Sequence, residues 1–205
     1  MKIYLTILLF TIAYSGFSQK NTSKFIDARE IDQINIDTDE VFKISLKTVA
    51  GEQIIITTHA DGEYYNDISL DLEQEGDVLN ITSLFREILQ SGFDKLSAHK
   101  VFALEVTLEI PEGFKVFIKS NIASVEAKGV FKYLQVQLNS GHCTLNSFVG
   151  NALVNTFNGA ITIETTDATV VASSRNGTIN IPPDFPGIHY INATSINGNI
   201  RVVEN

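Results

Sequence analysis

The sequence predicts an all-β protein, and three observations support that prediction. Apolar residues recur in alternating pairs, which is the period-two pattern of strands with one buried face. In the second half of the chain these pairs return every nine residues. Between the pairs lie short corners rich in Asn, Gly and Ser, which are residues that suit tight turns.

The repeat covers the chain from Val116 to Val202. A three-residue delay before Ile191 coincides with the Pro- and Gly-rich stretch 182–187, which reads as a loop insertion. The ten successive pairs are Val116/Ile118, Val125/Ala127, Leu134/Val136, Cys143/Leu145, Ala152/Val154, Ile161/Ile163, Val170/Ala172, Ile179/Ile181, Ile191/Ala193 and Ile200/Val202.

The corners are of two kinds that alternate, so the full period is two of these nine-residue units, with two short strands and two unlike corners. One kind contains Gly141, Gly159, Gly177 or Gly198, each preceded by Asn or Asn-Ser, and Ala123 takes the matching place in the first copy. Because Gly tolerates a positive φ, we expect these four glycines to form the structural corners.

Two architectures fit this period: a parallel β-solenoid with about 18 residues per coil, and an antiparallel β-sandwich or meander. The solenoid is favoured because the corners are long relative to the strands. It is also favoured because few charges occur from Leu134 onward, where stacked parallel strands would place like charges side by side. Those charged residues are Glu164, Asp167, Arg175, Asp184, Arg201 and Glu204.

The segment from Met1 to Ser18 has the pattern of a cleaved secretory signal. Its apolar run from Ile3 to Ala13 is too short to span a bilayer, and Gly16 and Ser18 stand where a signal peptidase needs small residues. We therefore expect export to the periplasm or the cell surface, with an uncleaved anchor as the alternative. No later stretch is apolar enough to predict a membrane span.

The mature chain is interpreted as one continuous domain. Residues 19–112 predict irregular N-terminal β coils with a non-β insertion at 83–100, and residues 113–205 predict the regular coils.

Composition excludes several functions. The formal charge of −9 disfavours nucleic-acid binding, and one Cys and four His predict neither a disulfide framework nor a metal or cofactor site.

Two sets of residues are candidates for a site. Aromatic rings at or near the corners are candidates for contacting a ligand, or else they fill space at the coil ends; they are Phe131, Tyr133, Phe148, Phe185 and Tyr190. The only candidates for a polysaccharide lyase or hydrolase are five charged residues of the regular coils: Glu164, Asp167, Arg175, Asp184 and Arg201. His142 and Cys143 are adjacent on a strand, so they point to opposite faces and predict no catalytic pair.

The stretch from Lys100 to Glu204 resembles the "putative adhesin" β-strand-repeat family of bacterial envelope proteins. The resemblance rests on a strand that ends in Ile110-Pro111, on the Asn-Gly coils near Gly141, Gly159 and Gly177, and on an earlier strand at Gly76–Ile81. It implies a single-stranded, right-handed β-solenoid, and it provides no catalytic residues.

The function expected from the sequence is an exported, non-catalytic module that binds a glycan or an envelope protein. One alternative is a carbohydrate-active β-helix enzyme. The other is a structural module that self-associates through an end strand, because the last pair, Ile200/Val202, leaves no long tail to cover that edge.

Overall fold

A computed structural model describes residues 19–62, 68–85, 102–182 and 187–205. The described chain consists of strands, turns and bends without a helix, which confirms the all-β prediction. Consequently, no helix in these ranges is long and apolar enough to cross a membrane. The predicted signal segment lies outside the described residues, and so do residues 86–100 of the predicted insertion. Residues 83–85, which were expected to begin that non-β insertion, pair as a strand with residues 68–70.

The described residues form fifteen strands: β1 (Gln19–Asp27), β2 (Gln33–Thr38), β3 (Val41–Val49), β4 (Gln53–Gly62), β5 (Ile68–Glu75), β6 (Val78–Phe85), β7 (Phe102–Pro111), β8 (Lys115–Ser120), β9 (Ser124–Ser140), β10 (Cys143–Asn158), β11 (Ile161–Thr165), β12 (Ala168–Ser174), β13 (Ile179–Asn180), β14 (His189–Ser195) and β15 (Ile200–Glu204).

The strands form one mixed sheet that consists of two rows. The long row has the order β1-β4-β7-β3-β9-β10-β11-β15-β13, and the short row has the order β5-β6-β2-β8-β9-β10-β14-β12. Strands β9 and β10 belong to both rows because their first and second halves pair with different neighbours. In β10 the change of row coincides with shifts of register around Ser147 and Gly150, which have φ of 42° and 137°.

The parallel pairs through the middle of the sheet have the register that the repeat predicts. Val116 pairs with Leu134, and Leu134 pairs with Ala152, so each partner lies one full period further along the chain. Every pair that joins two of the strands β8–β15 is parallel. The antiparallel pairs β1–β4, β4–β7 and β5–β6 lie at the other end of the sheet.

Each unit of two successive strands is called a coil below, and the order of the last two coils in the sheet differs from their order in the sequence. The repeat predicts that each coil stacks on the one before it, yet Ala152 pairs with Ile191, and Ile191 pairs on its other side with Val170. The coil β14–β15 is therefore inserted between β10–β11 and β12–β13. This arrangement keeps the register because the core positions of all coils are equivalent, and the longer loop before Ile191 supplies the chain needed to return.

The N-terminal half shows the same kind of insertion. Ile34 of β2 pairs with Leu79 of β6 and with Val116 of β8. In the long row, β3 lies between β7 and β9. An early coil is thus enclosed by later strands on both sides, and the regularly stacked coils lie between two such insertions.

A continuous apolar core runs through the sheet and contains most of the predicted pairs. Leu134, Val154, Ile163 and Ile191 are fully buried. The pairs Val170/Ala172 and Ile179/Ile181 are not part of this buried set, and Ile179 is 44% exposed. They belong to the outermost coil, so only one neighbouring coil covers them.

Three of the four corner glycines are required for a reason other than the positive φ that was predicted. Only Gly141 has a positive φ, at 114°, whereas Gly159, Gly177 and Gly198 do not. Instead, a Cβ on Gly159 would overlap the carbonyl oxygen of Gly141, and one on Gly198 would overlap that of Gly159. One on Gly177 would overlap the carbonyl oxygen of Gly198. These corners stack so closely that a side chain has no room.

Candidate binding surface

Two of the five candidate aromatic residues are inside the protein. Phe131 and Phe148 are 2% and 0% exposed, and their rings stack with centroids 5.4 Å apart and planes 16° from parallel. They fill the interior of the corner at which β9 and β10 pass from the long row to the short row. Neither ring is available to a ligand, which corrects the prediction for these two residues.

Tyr133 and Tyr190 lie on the outer surface of the short row. Tyr133 pairs in register with Asn151, and the backbone N–H of Tyr190 donates to Asn151 Oδ1 at 2.9 Å. Tyr133 and Tyr190 therefore occupy equivalent positions along strands β9 and β14, with strand β10 between them. Tyr190 is 51% exposed, whereas Tyr133 is half-buried against the ring of Phe117. Phe185 lies outside the described residues.

The outer surface of the short row carries no charged side chain from β9 to β12. Its twelve outward positions have amide, hydroxyl, aromatic or aliphatic groups: Tyr133, Gln135, Gln137, Asn151, Leu153, Asn155, Tyr190, Asn192, Thr194, Thr169, Val171 and Ser173. The outer surface of the long row is different, because Lys43 pairs with Glu126 at 3.7 Å and Lys47 lies beside Lys128. The uncharged surface is thus confined to one side of the molecule.

A groove follows the corner at which the strands of the short row end. It crosses four adjacent strands at residues 119–121, 137–139, 155–157 and 194–196, and its volume is about 420 Å³. We call it the corner groove. Its lining combines amides such as Gln137 and Asn139 with the apolar side chains of Phe157 and Ile196. Phe157 is 51% exposed.

Buried hydroxyl groups hold the wall of the corner groove in place. Thr156 Oγ1 donates to the carbonyl oxygen of Gly159 at 2.8 Å and lies 2.9 Å from Ser195 Oγ. Ser195 Oγ in turn accepts from the Gly198 N–H at 2.8 Å. Each hydroxyl closes the turn three residues ahead of it, which is a typical Ser/Thr-turn contact. The corner is therefore rigid before any ligand binds.

The corner groove was not predicted from the sequence. Its signal was nevertheless present, because Thr156 and Ser195 each stand three residues before a corner glycine. Alternation from Ala152 and Val154 also directs Phe157 outward, where a polar residue is normal. An outward Phe beside an Asn-Gly corner thus marks the groove.

Of the charged residues considered for catalysis, Asp167 and Arg175 are not brought together. Asp167 and Arg175 flank the two ends of the seven-residue strand β12, about 26 Å apart along the chain. Glu164 and Arg201 lie on the neighbouring strands β11 and β15 of the long row, where Arg201 pairs with Thr162, two residues from Glu164. In the described residues this pair is the only one of the set on adjacent strands, and one such pair does not supply the two carboxylates of a hydrolase. Asp167 Oδ1 accepts from the Ile188 N–H at 3.0 Å, which is a structural contact. Asp184 lies outside the described residues.

His142 and Cys143 point to opposite sides, as the alternation predicts. His142 is exposed and its Nδ1 accepts from the Ala160 N–H at 3.3 Å, whereas Cys143 is 0% exposed. Burial raises the pKa of the Cys143 thiol to about 12, so it is not a nucleophile at neutral pH. Within the described ranges no three metal-binding side chains form a cluster.

Comparison with solved structures shows a likeness over most of the chain. A "putative cell adhesion protein" from Clostridium sporogenes is 15% identical, has a TM-score of 0.64, and the match covers 92% of this chain and all of that one. A "putative adhesin" from Bacteroides fragilis is 10% identical with a TM-score of 0.41, over 90% of this chain and 97% of that one. No family model matches the sequence, and no curated protein does. At this identity the first likeness shows the fold alone.

Proposed function

We propose that the protein is an exported, non-catalytic β-solenoid module that binds a glycan or an envelope protein in the periplasm or at the cell surface. The solenoid assignment is supported by parallel pairs whose partners lie one full period apart along the chain. Export is supported by the signal-like pattern from Met1 to Ser18. The binding surface is the uncharged outer side of the short row together with the corner groove.

The observation that carries this proposal is the chemistry of that surface. Twelve outward positions over four strands have no charge, and two of them are tyrosines. Amides and hydroxyls held on a paired strand lose little conformational freedom when they bind, so many weak contacts add up efficiently. Such a surface suits a polymer or a protein better than it suits a small molecule.

The likeness to a solved structure named for cell adhesion agrees with this proposal. The separation of Asp167 from Arg175 also favours binding over catalysis, because a lyase or hydrolase needs such groups on one face.

The proposal is tested by retention of the purified protein on immobilised envelope and host polysaccharides, followed by cross-linking in the cell envelope. We expect saturable retention or a specific cross-linked partner, and Tyr190→Ala should weaken it. Phe25→Ala is the matched control, because Phe25 is 66% exposed on β1 at the far end of the long row. Absence of both retention and a cross-linked partner would refute the proposal.

A further inference from the structure

The corner groove repeats at the spacing of the strands that form it. Lys119 pairs in register with Gln137, Gln137 with Asn155, and Asn155 with Thr194. Adjacent strands lie about 4.8 Å apart, so the groove presents comparable positions four times over roughly 15 Å. A ligand that matches this groove therefore has a short repeat of its own.

The main chain beneath the groove is already hydrogen-bonded. Each of the four strands that form the groove has a parallel neighbour on both sides in the short row: β8 lies between β2 and β9, and β14 lies between β10 and β12. An extended peptide that binds as an added strand needs unpaired N–H and C=O groups. The groove offers side chains instead, which favours a polysaccharide over an extended peptide.

The side chains in the groove fit the surface of a sugar ring. Phe157 and Ile196 supply an apolar strip, and Phe157 is exposed enough to accept a ring on its face. Asn139 and Asn155 stand beside the strip as hydrogen-bond donors and acceptors. A pyranose has an apolar C–H face and a rim of hydroxyl groups, so it can contact both kinds of side chain at once.

The charge of the groove selects among polysaccharides. Lys119 is the one charged residue in its lining, and its Nζ lies 3.2 Å from Asp37 Oδ2. Anionic polymers are normally held by several cationic donors, which this lining lacks. The groove therefore favours an uncharged chain.

We propose that an extended, uncharged polysaccharide lies along the corner groove, parallel to the stacking direction, with about one sugar unit over each strand. A sugar unit in an extended chain is about as long as the separation of neighbouring strands, about 4.8 Å. Successive rings therefore meet equivalent positions, and one of them stacks on Phe157. This inference rests on the proposed binding function and specifies its ligand.

Calorimetric titration with cello-, manno- and xylo-oligosaccharides of increasing length tests the inference. In at least one series we expect Kd to fall with each added unit until the chain spans the groove at four to five units, roughly the number of strands it crosses. Beyond that length Kd should stay constant. A Kd that is already constant from the disaccharide, or the absence of binding in all three series, would overturn the inference.

Substitution of the aromatic residue locates the bound chain. Phe157→Ala should raise the Kd of the longest bound oligosaccharide at least about tenfold, because the stacked ring is lost. Phe25→Ala should leave Kd unchanged. Both side chains are largely exposed, so both variants should keep the melting temperature of the wild type. Equal Kd values for Phe157→Ala and the wild type would place the sugar elsewhere and contradict the inference.

Retention on whole envelope preparations separates this inference from the proposed function. If the protein is retained there but no neutral oligosaccharide shows the length plateau, the groove assignment is wrong and the binding function remains. If polygalacturonate binds as tightly as the neutral chains, the selection for an uncharged ligand is wrong. If nothing is retained and nothing binds, both proposals fail.

Discussion

The corner glycines show how a single missing side chain sets the distance between coils. Gly159 lies between Gly141 and Gly198 in space, and its Cα approaches the Gly141 carbonyl so closely that a methyl group would overlap it. The requirement is therefore steric contact between neighbouring corners. A different requirement applies at Gly113, where φ is 83° and the surroundings are open.

Substitution by alanine distinguishes these two requirements. We expect Gly159→Ala to lower the free energy of unfolding by about 2–3 kcal/mol, because the corners must move apart. Gly113→Ala should lower it by about 1 kcal/mol, the cost of a left-handed backbone for alanine. Urea denaturation measures both. If both variants lose the same free energy of unfolding, close packing of the corners costs alanine no more than the left-handed backbone does.

The buried Cys143 thiol makes stability depend on alkaline pH. Its pKa is about 12 in the folded protein and 9.0 when unperturbed, so deprotonation favours the unfolded chain. Stability should therefore fall as the pH rises from about 9 to 12, by at most about 1.4 kcal/mol per pH unit. Cys143→Ala should lack this part of the slope in urea titrations from pH 8 to 11. Parallel curves for the two proteins would contradict the assignment.

At the scale of the elements, the inserted coil β14–β15 is the main departure from a simple repeat. Asn197 lies between two partners: its Nδ2 donates to Asn158 Oδ1 at 2.7 Å, and its Oδ1 accepts from Asn176 Nδ2 at 2.6 Å. This ladder of amides follows the order in space and not the order in sequence. It therefore gives a direct way to test the topology.

Paired cysteines report which coils are neighbours. The double variant with Asn158→Cys and Asn197→Cys should form an intramolecular disulfide, because neighbouring strands are about 4.8 Å apart. The pair Asn158→Cys and Asn176→Cys should remain reduced, since two strand spacings, about 9.6 Å, exceed disulfide reach. Mass spectrometry without reductant reads the result. The opposite pattern would mean that the coils stack in sequence order.

At the scale of the whole molecule, the two ends of the sheet differ in how they meet solvent. The N-terminal edge strands carry charges, such as Lys24 on β1 and Glu73 on β5. Charged edges resist pairing with another chain. Strands β12 and β13 form the other edge of the described sheet, and they have no charged residue. The edge predicted at Ile200/Val202 is covered in part: Ile200 pairs with β11 on one side and with β13 on the other, whereas among the described residues Val202 pairs with β11 alone.

We expect the protein to self-associate at high concentration through the β12–β13 edge. Val171 is 45% exposed on β12, and Val171→Lys should lower the mass measured by light scattering at high concentration towards that of the monomer. Thr162→Lys is the control, because β11 has a partner on each side. A monomer mass for the wild-type protein at every concentration would refute this prediction.

The sequence predicts the local features of this fold well. Burial of Leu134, Val154 and Ile163 follows from alternation, since a strand with one covered face needs apolar residues at every second position. The order of the coils could not be predicted, because repeats with equivalent core positions pair equally well in several orders. The repeat determines the register in which two strands pair, but it does not determine which strands become neighbours.

The candidate site was predicted only in part, for a similar reason. Tyr133 and Tyr190 lie within regular strands, so the alternation of inward and outward side chains directs them outward. Phe131 and Phe148 lie at corners where the chain changes row, and there alternation no longer indicates direction. The corner groove joins residues of four coils, including the inserted one, and therefore depends on an order that the sequence leaves open.

The inserted coil also determines how the protein responds to force. A coil at the end of a stack peels away when it is pulled, because one ladder of hydrogen bonds breaks at a time. Strands β14 and β15 are each held by a ladder on both sides. A load applied at Glu204 first meets the single ladder that joins residues 202–204 to β11, and it must then shear two ladders together at Ile200 and Arg201 and along β14. An anchored module with this arrangement would resist tension better than one with sequentially stacked coils.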